Sequence, residues 1–280
     1  MNKLRKIREI ITPQMVIEGA GVRLQRSISP QASNLFDPFL LFDHFAFNEP
    51  REGALQGFPT HPHRGIETVT YMLTGLVHHR DSLGNSGVIG AGDVQWMTAG
   101  RGILHEEMPR LSEEKNIFGF QLWVNLPAAQ KMTGPRYQEV KENQIPIVES
   151  AGVRVRVIAG TYAQIDGPIK DITADPLYLD VSLQPDTTFT QPIPLGHTAM
   201  AYIFAGSGFV ADEPITAPQM VIFEDGEGVT LRAESTDLRF LLMAGAPFKE
   251  PIVPYGPFVM NTRDEIIQTL AELKNGTFIR

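Results

Sequence analysis

The chain has 280 residues, 42% of them hydrophobic, enough for one large or two medium packed domains and too many for global disorder. Its formal net charge of -8, with no basic run, argues against direct nucleic-acid binding. With 0 cysteines, disulfides, thiolate catalysis and cysteine-ligated zinc or iron-sulfur centres are excluded, so any metal must be held by nitrogen and oxygen.

In chain order, the N-terminal run from Met1 to Glu9 is basic but leads into no long apolar region. No segment approaches membrane length, and a soluble cytoplasmic protein is expected. Short apolar stretches then alternate with Gly, Pro and Asp turns, the rhythm of an all-β sandwich or barrel. Strands are predicted at 67–74, ending at Gly75, and at 76–81, followed by a turn over 82–87. Further strands are predicted at 93–98 and 117–126. Residues 127–148 are polar and proline-containing, and form the best boundary. A second strand-rich half follows, with strands at 153–160, 177–183, 199–206 and 238–245.

Tyr71-x-x-x-Gly75 and Tyr202-x-x-x-Gly206 leave a faint trace of duplication. Sliding one onto the other sets Pro192 and Pro194 where His61 and His63 stand, and Thr236 and Leu238 opposite His105 and Glu107. The second half holds only His197, so it has no matching histidine-rich site. A helix is predicted after Thr262, which forms a capping box with Glu265. Ile266, Ile267, Leu270 and Leu273 supply its apolar stripe, and Gly276 its C-cap.

The chemistry concentrates in His61-Pro62-His63 and His105-Glu106-Glu107. Spacing of i,i+2 in a strand points both side chains to one face, so two neighbouring strands can close three imidazoles and a carboxylate around a metal. Pro62 removes a backbone donor and fits an edge strand, where substrate has room. Three imidazoles and one carboxylate suit transition metals better than magnesium or calcium. Fe2+ is the first choice, with Ni2+, Cu2+, Co2+, Mn2+ and Zn2+ as alternatives. Three neutral imidazoles and an ionised Glu107 leave a divalent metal near +1, matched to a monoanionic enolate or phenolate.

Around this set, Glu106 reads as a solvated acid. Glu67 reads as a sheet-surface carboxylate or as a group orienting an imidazole. Only one of His78 and His79 can face a cavity. Gly100-Arg101-Gly102 permits a tight approach before His105, with Arg101 pairing an acid. Phe45, Phe58, Met72 and Trp96 are core residues or pocket-lining ones.

The stretches 35–43 (LFDPFLLFD), 61–71 (HPHRGIETVTY), 92–105 (GDVQWMTAGRGILH) and 256–262 (GPFVMNT) together resemble the pirin family of the cupin superfamily. The resemblance implies a bicupin: two double-stranded β-helix, or jelly-roll, barrels with a C-terminal helix. It divides the chain into a metal-binding domain at 1–135 and a metal-free domain at 136–280. It places one mononuclear metal on His61, His63, His105 and Glu107, assigning Glu107 over Glu106 and leaving Glu67 outside the ligand set.

The implied activity is oxygen-dependent cleavage of flavonols such as quercetin with release of carbon monoxide. The substrate is then a small aromatic molecule together with dioxygen, and Glu107 takes the proton of the 3-hydroxyl. The alternative is a metal-containing regulatory protein acting through protein partners. A monomer is favoured. His44, after Asp43, stands where some family members carry an acid.

Overall fold

A computed structural model describes residues 3–46, 57–110 and 117–279; Met1 and Asn2 of the basic N-terminal run lie outside them. The chain forms two compact units. One comprises residues 14–142 and 248–280, the other residues 1–13 and 143–247, so each unit borrows a terminal segment from beyond its own central stretch.

The first unit is built on period-two strands. Leu76–Asp81 buries Val77 and His79 and turns His78 and Arg80 outward, while Ile103–Arg110 buries Ile103, His105 and Glu107. Its larger sheet has seven antiparallel strands in the order Arg136–Val140, Val94–Thr98, Ile66–Thr74, Phe118–Asn125, Phe39–Phe45, Val22–Ile28 and Gln14–Glu18. Its smaller sheet has four, in the order Phe58–His63, Ile103–Arg110, Leu76–Asp81 and Ser86–Ile89. Leu40, Ile66, Met97 and Ala99 of the larger sheet pack with Ile103 of the smaller one and with Ile252 and Val259 from the C-terminal segment. Apolar side chains from two sheets interlocking in this way form the core of a stacked pair.

The second unit repeats the plan. Its seven strands run Ile7–Ile11, Gln219–Phe223, Thr198–Ala205, Leu238–Gly245, Leu177–Leu183, Val153–Ala159 and Ile147–Ser150. Its four run Thr188–Pro192, Gly228–Ala233, Ser207–Val210 and Glu213–Thr216. A large cluster including Val181, Phe189, Ala201, Leu231 and Phe240 fills the space between the sheets.

The expected jelly-roll barrels are therefore corrected to two stacked sheets per unit: among the described residues no sheet closes on itself. Closure needs hydrogen bonding at both edges, and the site-bearing edge withholds it. Phe58–His63 pairs with Ile103–Arg110 on one side, while Pro59 and Pro62 lack the N–H that a further neighbour would use.

The duplication is now traceable strand by strand. Ile66–Thr74 and Thr198–Ala205 occupy equivalent places in the two seven-stranded sheets, and Gly75 and Gly206 close them at φ 76° and 78°. The fixed offset fails further on. The counterpart of Ile103–Arg110 is Gly228–Ala233, where Gly228 faces Pro192, so Thr236 and Leu238 are not the equivalents of His105 and Glu107. A shorter connection in the second half shifts the alignment.

The strands expected at 67–74, 76–81, 177–183 and 238–245 are present within a residue of those limits. The turn after Asp81 is shorter than expected, because pairing resumes at Ser86. The polar stretch 127–148 contains the strand Arg136–Val140, which completes the first unit's large sheet.

The helix Arg263–Lys274 begins at the expected capping box. Thr262 Oγ1 accepts from Glu265 N, and Glu265 Oε2 accepts from Thr262 N. Its buried face is Ile266, Thr269 and Glu272; Ile267 and Leu273 are exposed, contrary to the apolar stripe. The cause is Arg64. Its buried guanidinium donates to Thr269 Oγ1 and meets Glu272 at 2.7 Å, so the helix turns a polar stripe inward to serve it.

Candidate metal centre

The strands Phe58–His63 and Ile103–Arg110 run antiparallel with His61 directly opposite His105 and His63 opposite Ile103. Register and i,i+2 spacing thus bring three imidazoles to one face, with their ligand atoms all within 4.8 Å of one another. His61 Nε2 lies 3.1 Å from His63 Nε2 and 3.0 Å from His105 Nε2.

The other ring nitrogens fix the tautomers. His61 Nδ1 lies 2.9 Å from the Pro59 carbonyl and His63 Nδ1 lies 3.3 Å from the Pro257 carbonyl. A carbonyl only accepts, so each Nδ1 carries the proton and each Nε2 presents a lone pair. Lone pairs at 3 Å repel unless a cation lies among them. Ligand atoms about 2.1 Å from one ion and at right angles stand about 3.0 Å apart, so the two spacings from His61 suit nitrogen donors gathered around a single ion. The residues present therefore fit a divalent transition metal.

Electrostatics keeps His63 and His105 in the ligating form. Burial, and then His105 and His61, holds His63 well below its ordinary pKa; burial lowers His105 to about 4. Neutral imidazole is the state that binds metal.

Glu107 lies on the same strand face but outside the three-imidazole group. A register shift between His105 and Glu107 sets it opposite Phe58, and its carboxylate accepts from Thr70 Oγ1 at 3.0 Å and Gln121 Nε2 at 3.2 Å. Burial pushes its carboxyl up, yet His105, His61 and the two hydrogen bonds outweigh that, and the net shift is downward. Glu106 turns the other way and pairs with Arg80 at 2.9 Å.

Glu107 also lines a cavity of about 30 Å³. Val22, Leu24, Phe45, Phe58, Val77 and Ile117 give apolar walls, while Thr70, Gln121 and Asp43 give a polar floor. Of the expected pocket residues, Phe45 and Phe58 line it; Met72 and Trp96 are core. Sequence reasoning missed Thr70, Gln121 and Asp43. Alternation within predicted strands could have placed them on the inner face.

The remaining candidates have structural roles. Glu67 is neither at the surface nor on an imidazole: it is buried and accepts from Trp96 Nε1 and Thr98 Oγ1, and burial raises its pKa. His78 is exposed, while His79 is buried, 2.8 Å from Glu139 and stacked on Tyr137. His44 stacks on Phe118 and Phe120, and burial lowers its pKa to about 3. The Arg101 carbonyl accepts from Arg64 Nε.

A second tier fixes the histidine strand. Gly65, at φ 77°, lies so close to the Val259 carbonyl that a Cβ would collide with it. The buried Lys131 ammonium donates to the Gly65 carbonyl, the Asn125 side chain and the Val259 carbonyl, each at 2.8 Å. Pro257, which orients His63, is thereby held next to the strand that carries it.

Two stacked sheets per unit and one edge site of three converging imidazoles define a cupin-type metal protein. The family model Pirin matches residues 21–124, and the Pirin C-terminal cupin domain matches residues 178–279. The chain is 44% identical to a pirin-like protein of Caulobacter vibrioides, covering 98% of this chain and 99% of that one. It is 42% identical to human pirin, covering 98% and 94%. A crystal structure of quercetin 2,3-dioxygenase from Acinetobacter baumannii superposes with a TM-score of 0.91 at 36% identity, covering 99% of each chain. The chain belongs to the pirin family.

Proposed function

We propose that this protein is a metal-dependent dioxygenase that opens the central ring of flavonols such as quercetin, releasing carbon monoxide. The observation that carries the reading is the three-imidazole cluster beside Glu107, which lines an apolar cavity, in a chain with the fold of a quercetin 2,3-dioxygenase.

His61, His63 and His105 hold the metal, with Glu107 as the fourth ligand; the nitrogen-and-oxygen donor set suits a divalent transition metal, of which Fe2+ is the first choice. When bound, a divalent transition metal supplies Lewis-acid polarisation of a substrate oxygen and access to dioxygen chemistry. The protein's own groups do the rest. Glu107, ionised and bonded to Thr70 and Gln121, accepts the proton of the substrate 3-hydroxyl. The apolar walls take the aromatic rings and exclude water, and the fixed imidazoles set the approach of the reacting oxygen. The second unit, whose one histidine is His197, serves as a metal-free companion.

Anaerobic reconstitution with each divalent metal, followed by quercetin and oxygen, tests the reading through flavonol loss and carbon monoxide release. Turnover with Fe2+ is expected. No turnover with any metal would sink it.

A further inference from the structure

One row of polar residues crosses the first unit's seven-stranded sheet in register. Arg26 stands opposite Asp43, Asp43 opposite Gln121, Gln121 opposite Thr70, and Thr70 opposite Gln95. Residues directly opposite share a face, so the row lies on the interior side, and its middle three members floor the cavity. Thr70 and Gln121 are accounted for by Glu107, which both of them hold. Asp43 is not: it makes no bond to Glu107 or to the imidazoles.

Asp43 is 3% exposed, an expensive place for a carboxylate. Arg26 compensates with a two-pronged contact, Nε to Oδ1 at 2.8 Å and Nη2 to Oδ2 at 2.7 Å, and is itself pinned by Glu18 at 2.7 Å. Burial pushes the Asp43 carboxyl up, against the pull of Arg26. A carboxylate has about four acceptor positions, and the guanidinium takes two. The cavity is thus lined by two fixed carboxylates, Asp43 from the seven-stranded sheet and Glu107 from the four-stranded one. Gln121, directly opposite Asp43 on the next strand, donates to Glu107 at 3.2 Å, so the two carboxylates border one cavity, where a single ring system bearing two hydroxyl groups would meet both.

We propose that Asp43 is a specificity-determining residue: it accepts a hydrogen bond from a second hydroxyl of an aromatic ligand whose first, acidic hydroxyl faces Glu107. The preferred ligands are then polyhydroxylated aromatic enols, and aromatic carboxylates are repelled. This rests on the dioxygenase reading for the ligand class, while the role of Asp43 is measured by binding alone.

The experiment uses full-length protein loaded with Zn2+, which has no redox chemistry, and reads dissociation constants for 3-hydroxyflavone and quercetin by fluorescence. The wild type should bind quercetin about tenfold tighter or more, the worth of one hydrogen bond to a charged group. In Asp43→Asn that advantage should fall several-fold. In the double variant Arg26→Met/Asp43→Leu, which removes acceptor and counter-charge together, it should vanish, and binding of a flavone carboxylate should strengthen. A role confined to structure would weaken all three ligands alike, and that result, or an unchanged ratio, overturns the proposal. If neither variant folds, the wild-type ratio decides: equal affinity for the two flavonols overturns it. Aerobic turnover is measured separately with Fe2+. Its absence alongside retained selectivity sinks the dioxygenase reading alone; its presence with a ratio indifferent to Asp43 sinks this inference alone.

Discussion

Arg64 and Glu272 form an ion pair at 2.7 Å with both side chains buried, joining the residue that follows His63 to the C-terminal helix. Arg64 also donates to Thr269 Oγ1, the Phe278 carbonyl and the Arg101 carbonyl, and lies 4.4 Å from the centre of the Phe278 ring. One guanidinium therefore ties the first histidine strand, the turn before His105 and the chain's last helix into one block.

Removing one partner of a buried pair strands the other charge. Glu272→Ala should cost roughly 3–5 kcal/mol in chemical denaturation. It should also weaken metal binding about tenfold, the lower end of what loss of a group supporting metal ligands costs. Replacing both by apolar residues, Arg64→Met with Glu272→Met, should recover much of the stability. Metal affinity should stay low, because the Arg101 contact is not restored. Equal recovery of both would disprove the link.

That pair also marks where the sequence stopped being legible. The i,i+2 histidines, the proline edge and the Thr262 capping box are local patterns, and each survives in the structure. The helix's buried face was misread because Glu272 and Thr269 look like solvent residues until Arg64, far away in sequence, is brought beneath them. Glu67 failed for the same reason, since its partners Trp96 and Thr98 lie on a neighbouring strand. Asp43, Gln121 and Thr70 each read as an unremarkable strand position, and become a polar floor only when three strands are laid side by side. The open sheets were likewise hidden, because edge pairing is a property of the assembled sheet.

Metal should be a structural ligand as well as a cofactor. The lone pairs of His61 and His63 converge 3.1 Å apart and repel in its absence, so chelation should lower the melting temperature. Refilling with Fe2+ or Ni2+ at a hundred times the dissociation constant should restore about 2.7 kcal/mol. For a chain of this size that is on the order of 5 °C or more. His105→Ala should abolish the increment. A melting curve indifferent to chelator in the wild type would contradict the assignment.

Glu107→Gln keeps the shape of the side chain but removes its charge, and sets an amide N–H against the Gln121 donor. Loss of a positioned base typically costs 10²-fold or more. The turnover number for quercetin should fall by about that factor, while the three imidazoles still retain metal by elemental assay. Thr70→Val should produce a smaller loss through the same carboxylate, since it deletes one of two donors. Full activity in E107Q would remove Glu107 from the chemistry.

Asp93, which bonds to none of the three imidazoles, offers a pH-dependent test. Its Oδ2 accepts from Gly90 N at 2.9 Å and Lys141 Nζ at 2.8 Å, and its Oδ1 accepts from Glu142 N at 2.9 Å. Burial raises its pKa, but the Lys141 and backbone hydrogen bonds exceed that and lower it overall. A depressed carboxyl binds fewer protons folded than unfolded, so its stabilisation is present above the unfolded value of about 4 and is lost as pH falls through the folded one. Asp93→Asn points an N–H at these donors. It should cost roughly 1 kcal/mol at pH 7, a figure discounted for the half-exposed Lys141, and much less at pH 3. Urea denaturation at the two pH values checks the sign: a cost that grows toward acid would refute the assignment.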